Sequence, residues 1–194
     1  MKVLVACEFS GIVRDAFAAR GHDAWSCDLL PSERNGNHIQ DDVLKHLNGD
    51  WDLMIAHPPC TWLCAAMRIN AARKDRPSVS ERFMEERERA FDFVKALANS
   101  PVPKIAIENP IGYLNSHWRK PEQIVRPYLF GHPYKKDICL WLKNLLPIYP
   151  TVALFPIGPY KTLDFWSNKR NPDGKSFKSI TFPGIATAMA AQWG

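Results

Sequence analysis

No stretch of this 194-residue chain carries enough consecutive apolar residues to span a bilayer, which takes about 20. A helical membrane protein is therefore not expected. The opening Met1-Lys2-Val3-Leu4-Val5-Ala6-Cys7 enters a strand pattern at once, so neither a signal peptide nor an anchor is expected. Cysteines are few and odd in number (Cys7, Cys27, Cys60, Cys64, Cys139) and show no paired framework. That disfavours a disulfide scaffold and suits a reducing cytoplasm. There is no Cys-x-x-Cys and no histidine cluster; His57 with Cys60 and Cys64 is only a partial ligand set, so no metal is expected. Internal repeats and low-complexity tracts are also lacking. What remains, 46% hydrophobic and 11% aromatic, is the composition of a packed domain with a sizeable core, alone or with a small lobe.

Charge is unevenly spread. The net charge is +5, and residues 135–178 alone hold eight Lys or Arg against three Asp, interleaved with Tyr149, Tyr160, Phe165, Trp166 and Phe177. Basic and aromatic residues so mixed suit a polyanion with stackable bases, or equally a solvated irregular surface.

The element pattern is α/β. Lys2–Cys7 reads as a buried strand, Glu8-Phe9-Ser10-Gly11 as a turn, and Ile12, Val13, Ala16 and Phe17 as one face of a helix that Gly21 ends. This starts a βαβ unit, with the helix N-terminus expected to be ready for an anionic or polar ligand group. Ala24–Cys27 is a short strand closed by Asp28, placed where nucleotide-type folds bind a ribose. His38–Gln40 is a possible third strand, and Asp41-Asp42 either cap the next segment or face a base amino group. Leu53–Ala56 is a continuous apolar run suited to a parallel strand. Pro58 and Pro59 stop it, which presents Cys60 on a stiff turn at the ligand-binding edge of the sheet. A thiol so placed is either a small buried hydrophobe or a nucleophile whose pKa something lowers.

Trp62–Ser80 is long, basic (Arg68, Arg73, Lys74, Arg76) and without clean periodicity, a candidate lid beside Cys60. Ser80 is expected to cap a helix with Phe83, Arg87, Ala90, Val94 and Leu97 along one stripe. Lys104–Ile107 repeats the Cys60 pattern: a buried run, then Glu108-Asn109-Pro110. That carboxyl is either a structural acceptor or a site acid raised by partial burial. Ile138–Leu142 is a further strand, and Ile185–Trp193 a short apolar helix packed on the core. The expected organisation is an α/β core over 1–142, a small basic, aromatic-rich segment over 143–178, and the C-terminal helix within 179–194.

Taken together, these motifs resemble, in order, those of the cytosine-5 DNA methyltransferases. Phe9-Ser10-Gly11 is similar to the motif that contacts S-adenosylmethionine. Asp28 matches the ribose-binding acid, Asp42 the adenine-side acid, and Pro58-Pro59-Cys60 the nucleophile motif. Glu108-Asn109-Pro110 resembles the Glu-Asn-Val motif, and Gly131-His132-Pro133 the segment leading to two basic residues, of which Lys136 aligns with the first. Val13 stands in place of that family's second glycine, and Thr61 in place of its glutamine. The resemblance implies a Rossmann-like S-adenosylmethionine-dependent methyltransferase fold, with a mostly parallel sheet flanked by helices. It implies Cys60, Glu108, Asn109 and Lys136 as catalytic residues, and Phe9, Ser10, Gly11, Asp28, Asp42 and Pro58 as cofactor-binding ones. The substrate would be DNA, duplex or single-stranded, gripped by Arg68, Arg73, Lys74, Arg76, Lys169 and Arg170. The short 143–178 segment leaves little room for target recognition, so a pyrimidine nucleotide such as dCMP is the alternative substrate. A silent DNA- or cofactor-binding module on the same scaffold is the alternative to an enzyme.

Overall fold

A computed structural model describes residues 1–64, 77–152, 161–162 and 180–194. Arg68, Arg73, Lys74, Arg76, Lys169 and Arg170 lie outside these. The architecture is a three-layer α/β/α sandwich about a seven-stranded, mostly parallel sheet. Its strands are β1 (Lys2–Ala6), β2 (Asp23–Asp28), β3 (His38–Gln40), β4 (Leu53–Ala56), β5 (Lys104–Pro110), β6 (Gln123–Val125) and β8 (Ile138–Lys143). The sheet order is β3-β2-β1-β4-β5-β8-β6. β8 runs antiparallel to both of its neighbours. A separate parallel pair joins β7 (Tyr134–Lys135) to β9 (Lys161–Thr162).

The central strands are apolar on both faces because helices cover both. Along β1, Val3 and Val5 face one layer while Leu4 and Ala6 face the other, the period of two expected of a strand. The first layer is α1 (Ile12–Ala18) packed with α4 (Pro183–Trp193). It buries Val13, Phe17, Ile185, Ala186, Met189 and Trp193. The second layer contains α2 (Pro77–Ala98) and α3 (Tyr113–His117), which bury Val94, Leu97 and Leu114 against Leu4, Met54 and Ile105.

Two boundaries differ from expectation. α2 starts at Pro77, so Ser80 lies inside the helix and is not its cap; proline at the first helical position costs no hydrogen bond. β5 does not end at Ile107. Antiparallel pairing with β8 carries it on through Glu108, Asn109 and Pro110. Among the described residues no helix is long and apolar enough to cross a membrane.

The sheet order reverses direction between β1 and β4, and open α/β sheets bind ligands beyond the strand ends at such a point. Register sets what lies there. Ala6 pairs with Cys27 on one side and with Ala56 on the other, and Ala56 pairs with Ile107. The next residue on each strand or its continuation is therefore Asp28, Cys7, His57 and Glu108, a row across four adjacent chain segments.

Candidate active site

Cys60 begins a single helical turn: the N–H groups of Leu63 and Cys64 both donate to its carbonyl, at 3.0 and 2.9 Å. Two ties hold this turn to the continuation of β5. Buried Asn109 donates from Nδ2 to the Pro58 carbonyl at 2.9 Å. The Tyr113 N–H donates to the Leu63 carbonyl at 2.7 Å, beside an antiparallel bridge between Cys64 and Gly112. Only glycine fits at 112, because a Cβ there would lie 2.2 Å from the Leu63 oxygen. Cys64 thus closes the turn and carries the bridge; it is part of the scaffold that presents Cys60.

His57 Nδ1 lies 3.6 Å from Glu108 Oε2, with their side chains 8% and 19% exposed. Thr181, in the segment leading into α4, places its hydroxyl 3.4 Å from the same Nδ1. His57 Nε2 and Asn109 Oδ1 are buried with no hydrogen-bond partner among the described residues. Burial pushes the Glu108 carboxyl up. The neighbouring His57 imidazole and the Lys136 charge outweigh it and hold the group below its ordinary value. An acid raised by partial burial is therefore not what this environment produces; Glu108 is a carboxylate at neutral pH. Cys60 is shifted the other way. Burial pushes its thiol up and the Glu108 charge adds to that, while Lys136 pulls it part of the way back. The resting pair is thus a thiol and a carboxylate, with Lys136 near enough to act on both.

A cavity of about 420 Å³ opens beside this edge, with Asp28, Asp42, Cys7, Leu29, Pro59 and Phe93 among its walls. Of the six residues matched to cofactor contacts, Asp28 and Asp42 line it. Phe9, Ser10 and Gly11 do not, and the proline in its wall is Pro59 rather than Pro58. One oxygen of Asp28 accepts from Leu30 N–H at 2.9 Å. Asp42 caps a short 3-10 turn by accepting from Leu44 N–H at 3.0 Å. Asp41, also in the wall, is held at about 2 by hydrogen bonds from Lys45, the Asp42 backbone and His46. Burial inhibits the cavity's thiols: it lifts Cys7 far above the ordinary range and pushes Cys27 up to about 11.

The α1 N-terminus is not open to a ligand. Glu8 is buried and accepts from Val13 N–H at 2.7 Å, Arg14 N–H at 3.1 Å and the Ser10 hydroxyl at 3.2 Å. Its carboxylate fills the position where an anion would gain from the helix dipole. Gly11 takes a left-handed φ of 70°, and a Cβ there would meet Arg14 Nη2 at 2.5 Å. Arg14 is itself buried and fully engaged. It donates to Asp15 at 2.8 and 2.9 Å, to Ser26 and Ser32 at 3.2 and 3.0 Å, and to the Asn35 carbonyl at 3.0 Å. It anchors the segment after β2 rather than any ligand.

The sequence placed His57 only in a partial ligand set and Glu8 only in a turn, and it marked no role for Arg14. The available signal for His57 was its place between an apolar run and Pro58, one position beyond the strand. Among the described residues no group of three potential metal ligands occurs.

No protein-family model and no curated protein sequence matches the chain. Among solved structures, one from E. coli, provisionally described as a DNA modification methyltransferase encoded within a prophage, matches with 16% identity and a TM-score of 0.40. The match covers 72% of this chain and 45% of that one, so this chain spans under half that protein's length. At this level the likeness supports no residue assignment.

Proposed function

We propose that this protein is an S-adenosylmethionine-dependent methyltransferase that modifies carbon 5 of cytosine in DNA through a covalent Cys60 adduct. The observation that carries the reading is the joint presentation of Cys60 and Glu108. They lie on neighbouring segments at the ligand edge, tied by Asn109 and Gly112, with Lys136 acting on both.

The cavity chemistry supports the cofactor class. Carboxylates at Asp28 and Asp42 and the Glu8 carboxylate on the helix end all oppose a pyrophosphate, which dinucleotide folds bind at that helix. A nucleoside without phosphate, carrying a positive charge, suits the same set. Asp28 would hold the ribose hydroxyls, and Asp42, Leu29 and Phe93 would enclose the base. Bound there, S-adenosylmethionine supplies an electrophilic methyl group.

The remaining chemistry belongs to the chain. Carbon 5 of cytosine is a weak nucleophile until a thiolate adds to carbon 6 and breaks the aromaticity. That addition pushes negative charge toward ring nitrogen 3, which needs a proton or a proton donor. The resting thiol and carboxylate hold the same number of protons as the reactive thiolate and carboxylic acid. One proton therefore passes from Cys60 to Glu108, or on to nitrogen 3, without net uptake from solvent. Lys136 stabilises both anions along this route. Loss of the carbon-5 proton to solvent after transfer expels Cys60 as a thiolate and restores the ring. In a duplex the base first has to leave the stack, at a cost of a few kcal/mol.

The test is transfer of isotope from labelled S-adenosylmethionine to cytosine-containing duplex, single strand and dCMP. A 5-fluorocytosine strand is included, because fluorine cannot leave as a cation and so the Cys60 adduct is trapped. Wild type should label DNA and form a denaturation-resistant adduct, and Cys60→Ala should do neither while still binding the cofactor. Labelling of dCMP alone would move the substrate to a free nucleotide. Full activity of Cys60→Ala would remove the covalent mechanism.

A further inference from the structure

A second cavity, of about 470 Å³, shares Trp62 as a wall with the first. Its floor is the Leu63–Gly112 contact that ties the Cys60 turn to β5, so it adjoins the reactive thiol's own turn. Its remaining walls are unusual for a surface hollow. Phe83 and Arg87 come from α2, and Tyr113 and His117 from α3. Trp62 meets Phe83 edge-on with ring centres 6.0 Å apart. Tyr113 stacks on His117 at 3.9 Å.

Arg87 is the informative residue. Its guanidinium lies 5.0 Å from the Phe83 ring centre and 4.4 Å from that of Tyr113. Ring contacts hold the cation without neutralising it. Its Nη2 is directed at the Met84 sulfur, a weak acceptor. Its Nε is buried and donates to nothing among the described residues. A buried donor left unpaired is costly, and a planar fork of N–H groups is matched by a phosphate or carboxylate. An anion would match this guanidinium where aromatic rings also offer a stacking wall. Ser116 and His117 form a polar rim.

We propose that this cavity binds the nucleotide adjacent to the reacting one in a strand, Arg87 taking its phosphate and the Trp62 side its base. The proposal rests on the nucleic-acid reading above and sharpens it: the substrate is a strand and not a mononucleotide. Aromatic side chains beside a cation are the usual platform for unpaired bases. The pocket's place against the Cys60 turn sets the occupant next to the target base.

The experiment is fluorescence anisotropy of a labelled single-stranded hexanucleotide containing one cytosine, at low salt, with dCMP and S-adenosylmethionine as separate ligands. Arg87→Gln should weaken hexanucleotide binding by at least about tenfold, ~1.4 kcal/mol. Its affinities for dCMP and S-adenosylmethionine should stay at wild-type values. Replacing single phosphates by neutral methylphosphonates should reveal one linkage beside the cytosine that costs wild type most, and that linkage should cost Arg87→Gln almost nothing. The proposal is overturned if folded Arg87→Gln binds the hexanucleotide like wild type, or if the methylphosphonate costs in the two proteins are equal. Should Arg87→Gln not fold, the wild-type scan decides: a flat profile refutes the site, as does absence of any strand binding. Arg87-dependent strand binding without methyl transfer would leave this site standing and remove the transferase reading. Methyl transfer with Arg87-independent binding would do the reverse.

Discussion

Gly112→Ala tests the idea that two strand ends are clamped into one site. The added Cβ would start 2.2 Å from the Leu63 oxygen and 3.1 Å from the Cys64 Cα. Ordinary contact between such atoms is nearer 3.5 Å, so the Cys60 turn and the β5 continuation have to separate by about 1 Å. Both atoms met are backbone, so no side-chain rotation relieves the clash. The separation breaks the 2.7 Å bond from Tyr113 N–H to the Leu63 carbonyl, a loss of about 0.5–1.5 kcal/mol. Local overpacking adds about 1–3 kcal/mol, giving an expected destabilisation of about 2–4 kcal/mol in urea unfolding. The effect on turnover should exceed what stability alone predicts. Displacing a reacting group by about 1 Å costs on the order of a hundredfold in rate. Methyl transfer is measured at a temperature where the variant remains folded, alongside the rate at which iodoacetamide alkylates Cys60. Wild-type stability together with wild-type turnover would show that the Leu63–Gly112 contact does not position the site.

Three further outcomes follow from the same geometry. Asp28→Ala should weaken S-adenosylmethionine binding by about 1–3 kcal/mol by calorimetry, the value of a charge-assisted hydrogen bond; unchanged affinity would move the cofactor out of this cavity. Glu8→Ala strips the Val13 and Arg14 N–H groups of their acceptor in a buried place, and should cost about 1–3 kcal/mol in thermal or urea unfolding; a stability equal to wild type would refute the capping role. Lys136→Met should shift both limbs of the pH–rate profile to higher pH. Lys136 lowers the pKa of Glu108 and of Cys60 alike, so its loss lets both rise; a shift of one limb alone, or a downward shift, would remove Lys136 from the pair's surroundings.

What was legible in the sequence was what depends on local pattern. Continuous apolar runs at Leu53–Ala56 and Ile105–Ile107 imply strands buried on both faces, and the sheet carries them at its centre. The stripe through Val13 and Phe17 implies the buried face of α1. Pro58 and Pro59 imply a stop after β4, which is where the chain turns. The electrostatics of the Cys60 and Glu108 pair were not legible, because the charged partners that act on it, Lys136 above all, are distant in sequence. Glu108 reads from its own neighbours as either a structural acceptor or a raised acid, yet His57, 51 positions earlier, and Lys136, 28 later, pull it down. Only the pairing of Ala56 with Ile107 brings the first of these alongside. Arg14 lies outside the apolar face marked by Ile12, Val13, Ala16 and Phe17, and no local pattern shows that Ser26, Ser32 and Asn35 will supply acceptors for a buried guanidinium.

The same contrast explains why one turn of chain can be both strongly specified and chemically quiet at rest. The backbone around Cys60 is fixed by contacts that pay nothing toward ionising it: the Asn109 amide on Pro58, the Tyr113 N–H on Leu63, and the bare Cα of Gly112. Ionisation is governed by a different set, burial and Glu108 against Lys136. A folded protein with every tie in place therefore still holds Cys60 as a thiol. In the proposed mechanism its proton would leave when a ring that can accept charge lies between it and Glu108, and the carboxylate that opposes the thiolate would become the acceptor of that proton. Glu108→Gln separates the two roles. It removes the charge that raises Cys60, so iodoacetamide should alkylate the thiol faster than in wild type at the same pH, while methyl transfer is lost with the proton acceptor. Slower alkylation in Glu108→Gln would mean that Glu108 acts on Cys60 as a base in the resting protein, and the proton route proposed here would be wrong.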